Sequence, residues 1–253
     1  MTGNPEEPWF VALDRTWTPV LTRWNDDPEP LAVLFSGGID SGLLAWELRD
    51  RPGTTLHTVG TARSNDLAIA RGAADALHLP WSGFEVARSD LDTLVERLNQ
   101  EFASIPSSRR SILLSLAVAI SRAPESHLLC GQGADELFLG YAHFQGLSPS
   151  EASERSEEDL RQLLAHDWPW TERIAGRLGR RISAPYLDPG FREAARSIPI
   201  HVRLPRSAAK AFFRRWARHR GLPEAIATRP KRALQFSSGI DRLMKNGRAR
   251  DLR

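Results

Sequence analysis

The chain has 253 residues, 41% of them hydrophobic and 26% charged, enough to bury one full core or a core with a small appendage. Its single cysteine, Cys130, excludes an intrachain disulfide and any cysteine-based zinc or redox motif, and no two of the seven histidines stand at HxxxH or HxxH spacing. No apolar run approaches the ~20 residues that span a bilayer, and MTGNPEEPWF lacks the basic-then-apolar pattern of a signal peptide. The expectation is a cytoplasmic protein with no membrane partner.

Residues 1–30 form a lead-in. Phe10, Val11, Leu13, Trp17, Val20, Leu21 and Trp24 recur at roughly helical spacing, and DDPEP at 26–30 ends the helix. Strand–helix alternation follows. Leu31 to Phe35 reads as a buried strand, Gly42 to Arg49 as a helix, Thr55 to Val59 as a second strand and Asp66 to Leu77 as a helix. Trp81 to Val86 is a third strand, Leu91 to Phe102 and Arg110 to Ser121 are helical, and His127 to Cys130 is a fourth strand. Such alternation implies an α/β fold: a doubly wound, mostly parallel sheet covered on both faces. Past Tyr141 the pattern changes. Ser150 to Leu164 is polar and helix-prone, prolines punctuate 185–205, and Ala208 to His219 reads as a basic amphipathic helix. The organisation expected is a lead-in (1–30), a nucleotide-binding core (31–146), and a helical, basic subdomain (147–253) that completes the active site.

Net charge is only +3, yet His201 to Arg253 carries fifteen Lys and Arg against Glu224, Asp241 and Asp251, a local excess of +12. Such a segment either suits a polyanion (nucleotide phosphate, pyrophosphate or nucleic acid) or forms a solvated basic helix face. Lysine itself is rare; only Lys210, Lys231 and Lys245 occur.

Two glycine loops carry the chemistry. Ser36-Gly37-Gly38-Ile39-Asp40-Ser41 stands between a strand and a helix. Gly37 and Gly38 allow a tight turn and close approach to a ligand, and their N–H groups with the helix N-terminus make an anion site. Ser36 and Ser41 offer hydroxyl donors, and Asp40 a hard oxygen for Mg²⁺ carried by a polyphosphate. The Walker A pattern GxxxxGK[ST] is absent. SGGxDS resembles the PP-loop of ATP-pyrophosphatases, which cleave ATP to AMP and pyrophosphate. By itself it does not separate NAD synthetases, GMP synthetases, tRNA-thiolating enzymes and asparagine synthetases.

The second loop, Gly131-Gln132-Gly133-Ala134-Asp135-Glu136-Leu137-Phe138-Leu139-Gly140-Tyr141, resembles the GxGADElFxGY element of asparagine and β-lactam synthetases. Further matches follow in order. Pro185-Tyr186-Leu187-Asp188 resembles the family's PFLD, and Lys210 to Arg214 its KxxxR helix. Gly221-Leu222-Pro223 resembles its glLP, and Arg229 to Gly239 its RxKxAxQxxSG tail. The chain is thereby similar to the synthetase domain of asparagine synthetases, within the PP-loop (adenine nucleotide alpha hydrolase-like) superfamily. The resemblance implies that Leu34, Val59, Cys130 and Gly131 contact AMP, that Asp40 and Asp135 bind Mg²⁺, and that Lys231 stabilises charge developing in the transition state. Cys130 is read as a small buried residue rather than a nucleophile.

Departures from the pattern define the rest. Glutamine-dependent members begin with a catalytic cysteine at residue 2 of a glutaminase domain. Here residue 2 is Thr2, so nitrogen is expected as ammonia, as another amine, or from a partner subunit. The family has Glu where this chain has Gln132, and Glu and Arg where it has Arg181 and Ser183. A neutral amide cannot act as a base, so Glu136 or Glu172 is left to supply a carboxylate. The function expected is an AMP-forming ligase that adenylates a carboxylate with ATP and Mg²⁺ and passes the acyl group to ammonia or an amine. Lys231, Asp135, Glu136 and Gln132 are its catalytic candidates. An ammonia-dependent asparagine synthetase proper and an RNA-modifying PP-loop enzyme are the alternatives.

Overall fold

The computed structural model describes residues 5–204 and 209–229, with Ile240 and Leu243 beyond them. Its centre is a five-stranded parallel sheet of order β3-β2-β1-β4-β5, formed by β1 (Leu31–Leu34), β2 (Thr54–Gly60), β3 (Trp81–Glu85), β4 (His127–Leu129) and β5 (Arg181–Ser183). β1 and β4 are buried throughout, as strands covered on both faces must be, and this is why β1 reads as an unbroken apolar run and β4 as a histidine followed by two leucines.

The chain moves from β1 outward to β3, then returns past β1 to β4 and β5. Right-handed crossovers therefore place helices Ile39–Glu47 and Asp66–Leu77 on one face and Ser107–Arg122 and Trp168–Arg177 on the other. The sheet is doubly wound, as expected. The span expected as one helix over Leu91 to Phe102 is two, Arg88–Arg97 and Asn99–Ala103, meeting at Leu98. No helix among the described residues is long and apolar enough to cross a membrane.

β5 lies beyond the change of pattern near residue 146, and its three residues are too few for their out–in–out alternation to be a signal. The helices Pro149–Gln162 and Trp168–Arg177 that precede it are joined through a π turn, Leu163–Asp167. The first starts at a capping box in which Ser148 Oγ accepts from the Glu151 N–H at 3.3 Å and Glu151 accepts from the Ser148 N–H at 2.8 Å. One hydrophobic core runs from Phe10 in the N-terminal helix (Glu7–Asn25) to Trp216 and Ile226.

An aromatic cluster fixes the later segments against that core. Trp17 stacks on Tyr186 with centroids 4.9 Å apart and meets Trp216 edge-on at 5.7 Å, while Phe138 stacks on Phe213 at 4.6 Å. The N-terminal helix, the second glycine loop, the 185–187 turn and helix Ala211–His219 are thus tied together.

Candidate active site

β1 has β2 on one side and β4 on the other, so the strand order reverses at the gap between β1 and β4. Ligands of open α/β sheets bind outside the carboxyl ends of the strands at such a point. The pairing of Val33 with Leu129 brings both strands out at one height, and the two glycine loops follow directly.

In the first loop Gly37 takes a φ of +66°, where a side chain would be strained. Its carbonyl accepts from Arg229 Nη1 at 2.8 Å. Ser41 Oγ accepts from the Ser36 N–H at 3.1 Å and lies 3.2 Å from Ser36 Oγ, which accepts from the Gly38 N–H at 3.2 Å. The two hydroxyls therefore brace the turn as well as facing the helix N-terminus at Gly38. Asp40 sits in the first turn of helix Ile39–Glu47. Its backbone carbonyl accepts from the hydroxyl of the fully buried Tyr186 at 2.8 Å. Leu34 and Val59 lie buried near the carboxyl ends of β1 and β2.

The second loop leans on the first. A β-carbon on Gly131 would stand 3.0 Å from Asp40 Cβ. Gly133, with a φ of +95°, would put one 2.5 Å from Leu187 Cδ2. Gly133 caps the short helix Ala134–Leu137, which carries Asp135 and Glu136. Arg203 donates from Nη1 to the Leu137 carbonyl at 2.8 Å and holds the far end of that helix.

The loops meet at a lysine. Lys210 Nζ donates to Asp40 Oδ1 at 2.5 Å and stands 2.7 Å from Asp135 Oδ1, and its side chain is only 1% exposed. Burial by itself pushes the ammonium down; Asp135 and Asp40 outweigh burial, and the net shift is upward. Access for this side chain depends on Gly140, where a β-carbon would lie 1.9 Å from Asp135 Oδ1 and 2.2 Å from Lys210 Cε. The lysine backbone is left-handed, with a φ of +58°. Arg214, one turn on, donates to the Ala209 carbonyl at 3.0 Å and to the carbonyl of Ala227, pinning the segment. Both carboxylates keep about a quarter of their surface, 25% and 23%. Two such oxygens already sharing one cation are a hard-ligand pair of the Mg²⁺ type. No third acid, His or Cys joins them among the described residues, so phosphate oxygens and water would have to complete the shell.

Glu136 is buried, and Tyr141 donates to its Oε1 at 2.5 Å. Burial and then the neighbouring Asp135 push its carboxyl up to about 7, against the lowering effect of the Tyr141 hydrogen bond. Burial pushes the Cys130 thiol up to about 12, which keeps it protonated and poorly nucleophilic. Gln132 Oε1 lies 3.8 Å from Cys130 Sγ.

Of the expected site residues, Ser36, Gly37, Gly38, Asp40 and Ser41 of the first loop and Cys130, Gly131, Gln132, Asp135 and Glu136 of the second come together. Lys231 and the rest of the motif from 230 to 239 lie outside the described residues. Arg181 stands at the opposite end of the sheet, paired with Glu29 at 2.9 Å. Ser183 lies in β5 with its Oγ 3.2 Å from His127 Nε2. Glu172 lies with Ser183 in a cavity beside β5. Among these departures from the family pattern, Gln132 is the one within the loop pair. Lys210, Tyr186 and Arg229 are site residues to which the sequence assigned no role; the scarcity of lysine in an arginine-rich chain was the available signal for the first.

The basic segment also changes character in three dimensions. Arg215 pairs with Glu6, Arg218 with Glu224, and Arg220 with Glu47 and Asp14, while Arg203 and Arg214 are buried on carbonyls. These five cations bind the fold to itself.

The model of the asparagine synthase family matches residues 22–182 and 146–253. The asparagine synthetase [glutamine-hydrolyzing] of Gallus gallus is 30% identical over 232 residues, 85% of this chain and 41% of that protein. A putative asparagine synthetase [glutamine-hydrolyzing] 1 of Methanocaldococcus jannaschii is 27% identical over 275 residues, 92% of this chain and 50% of that one. The chain thus spans half or less of the length of these curated relatives. An NH3-dependent NAD synthetase structure from Campylobacter jejuni overlaps with a TM-score of 0.38 at 18% identity, covering 67% of this chain and 93% of that one, too loosely to bear on function. With the family model matched along most of its length, the chain belongs to the asparagine synthase family.

Proposed function

We propose that the protein is an AMP-forming, amide-bond-forming ligase. In the first step a carboxylate oxygen attacks the α-phosphorus of ATP, an acyl-adenylate forms and pyrophosphate leaves. In the second an amine nitrogen attacks the acyl carbon, the amide forms, AMP leaves, and the nitrogen gives up a proton.

The observation that carries this reading is the convergence of Asp40 and Asp135, from the two glycine loops, on the Lys210 ammonium. Adenylation concentrates negative charge on the phosphates, and preorganised cations and N–H donors act on it without reorganisation. Gly37 would supply a backbone donor at the mouth of helix Ile39–Glu47, and the Gly38 N–H would join it by leaving Ser36 Oγ. Lys210 offers a fixed cation behind them. Asp40 and Asp135 would hold Mg²⁺, which when bound neutralises phosphate charge. Leu34, Val59, Cys130 and Gly131 would flank the nucleotide, and Lys231 would add a second cation at the reacting centre.

Gln132 holds the place of the family's carboxylate, and an amide takes no proton. Glu136, whose carboxyl is pushed up to about 7, has the affinity to take one near neutral pH. The nitrogen source is free ammonia, a larger amine, or a nitrogen-donating partner subunit.

The test is to incubate the protein with ATP, Mg²⁺ and a panel of carboxylates, with and without ammonia, and to follow AMP and pyrophosphate. Carboxylate-dependent release of both in equal amounts is expected. Release of ADP and phosphate instead, or no response to any carboxylate, would overturn the reading.

A further inference from the structure

Beside β5 lies a cavity of about 230 Å³ that the ligase reading does not use. Its walls come from the end of the N-terminal helix, from Ile182 to Asp188 and from helix Trp168–Arg177. Leu187 lines it on one face. On the other face Leu187 fills the position a Gly133 side chain would need, with a β-carbon there 2.5 Å from Leu187 Cδ2. The turn that carries Leu187 therefore stands between this cavity and the glycine loops.

Two indoles, Trp24 and Trp168, line the cavity among aliphatic side chains. Trp24 is held edge-on against His127 with centroids 4.6 Å apart. Trp168 follows directly on the π turn Leu163–Asp167, a local irregularity that recurs at functional sites and re-aims the residues after it. Three charges line the same cavity. Arg23 and Asp188 neutralise each other in an ion pair of 2.7 Å. Glu172 is exposed and has no hydrogen-bond or ion-pair partner among the described residues. The balance is one uncompensated carboxylate beside two aromatic rings.

The geometry points to a binding site for an organic cation: an ammonium or guanidinium on an apolar body, taken up between Trp24 and Trp168 with its charge on Glu172. Indole faces attract cations through the ring quadrupole, the aliphatic wall takes the body, and the spare carboxylate sets the sign of the ligand. An anion would meet Glu172 and find the only lining cation, Arg23, already engaged.

Phenethylammonium is a suitable probe, with 2-phenylethanol as a neutral match of nearly the same shape. Titration calorimetry of the whole chain should show saturable binding of the amine, about 3- to 10-fold tighter than the alcohol. Glu172→Gln, at an exposed position that leaves the fold alone, should erase that preference. Trp168→Leu, checked for native circular dichroism, should weaken the amine by a similar factor. The proposal falls if the amine shows no saturable binding at millimolar concentration. It falls equally if amine and alcohol bind alike, or if Glu172→Gln leaves the difference unchanged. Trp168→Leu touches neither the glycine loops nor a candidate catalytic carboxylate, so carboxylate-dependent AMP formation by that variant, measured alongside, separates failure here from failure of the ligase reading.

Discussion

Replacing Lys210 by Met keeps the aliphatic stem and removes the charge, so it isolates what the ammonium does between Asp40 and Asp135. Breaking a buried ion pair from one side costs about 3–5 kcal/mol. Here the carboxylates keep 25% and 23% of their surface in water, which returns part of that cost by solvation, and about 3 kcal/mol is expected. In a chain of this size each kcal/mol moves the melting temperature by ~2–4 °C, so the loss should be about 6–12 °C. The assay is thermal unfolding by circular dichroism, with and without millimolar MgCl₂. Without the lysine, two carboxylates are left facing each other, and a divalent cation that binds only the folded state stabilises it by mass action. Mg²⁺ should therefore recover several degrees in the variant and less in the wild type. A Lys210→Met protein that melts within ~2 °C of wild type would show that the shared ammonium does not hold the loop pair together.

Four further outcomes follow from the same geometry. Asp40→Asn should abolish pyrophosphate release while leaving the circular dichroism spectrum native; near-normal turnover would remove Asp40 from the metal and phosphate chemistry. Gln132→Glu should raise asparagine formation from aspartate and ammonia, and efficient synthesis by the wild type would instead identify an ammonia-dependent asparagine synthetase proper. Gly140→Ala should unfold or badly destabilise the protein, because its β-carbon would sit 1.9 Å from Asp135 Oδ1; a stable, active variant would contradict the packing described. Glu136 holds its proton up to about 7 in the folded state but loses it near 4.5 when unfolded, so the folded state binds the extra proton between those values. Its contribution is complete below about pH 4.5 and is lost as the pH rises to about 7, costing roughly 3 kcal/mol across the window. Denaturant titrations should show Glu136→Gln gaining on the wild type over that range, and a constant difference between the two would refute the buried-acid reading.

What the amino-acid sequence determined by itself lies within short stretches of chain. Helix Asp66–Leu77 and the first four strands were legible because apolar period and turn residues are local signals, and elements buried on both faces read as apolar runs. SGGIDS and GQGADE announced tight loops because glycine is favoured where the backbone turns left-handed, as at Gly37 and Gly133. The tertiary structure decided the rest. β5 has three residues, too few for a legible alternation, and joins the sheet because β4 offers it an edge. Lys210 reaches Asp40 across 170 residues of sequence, and Arg215 reaches Glu6 across 209. A run of cations therefore reads as a polyanion surface until the fold brings its acids to it. Charge is long-ranged and indifferent to sequence order, so which carboxylate meets which cation is settled by the topology that folds the ends of the chain onto one another.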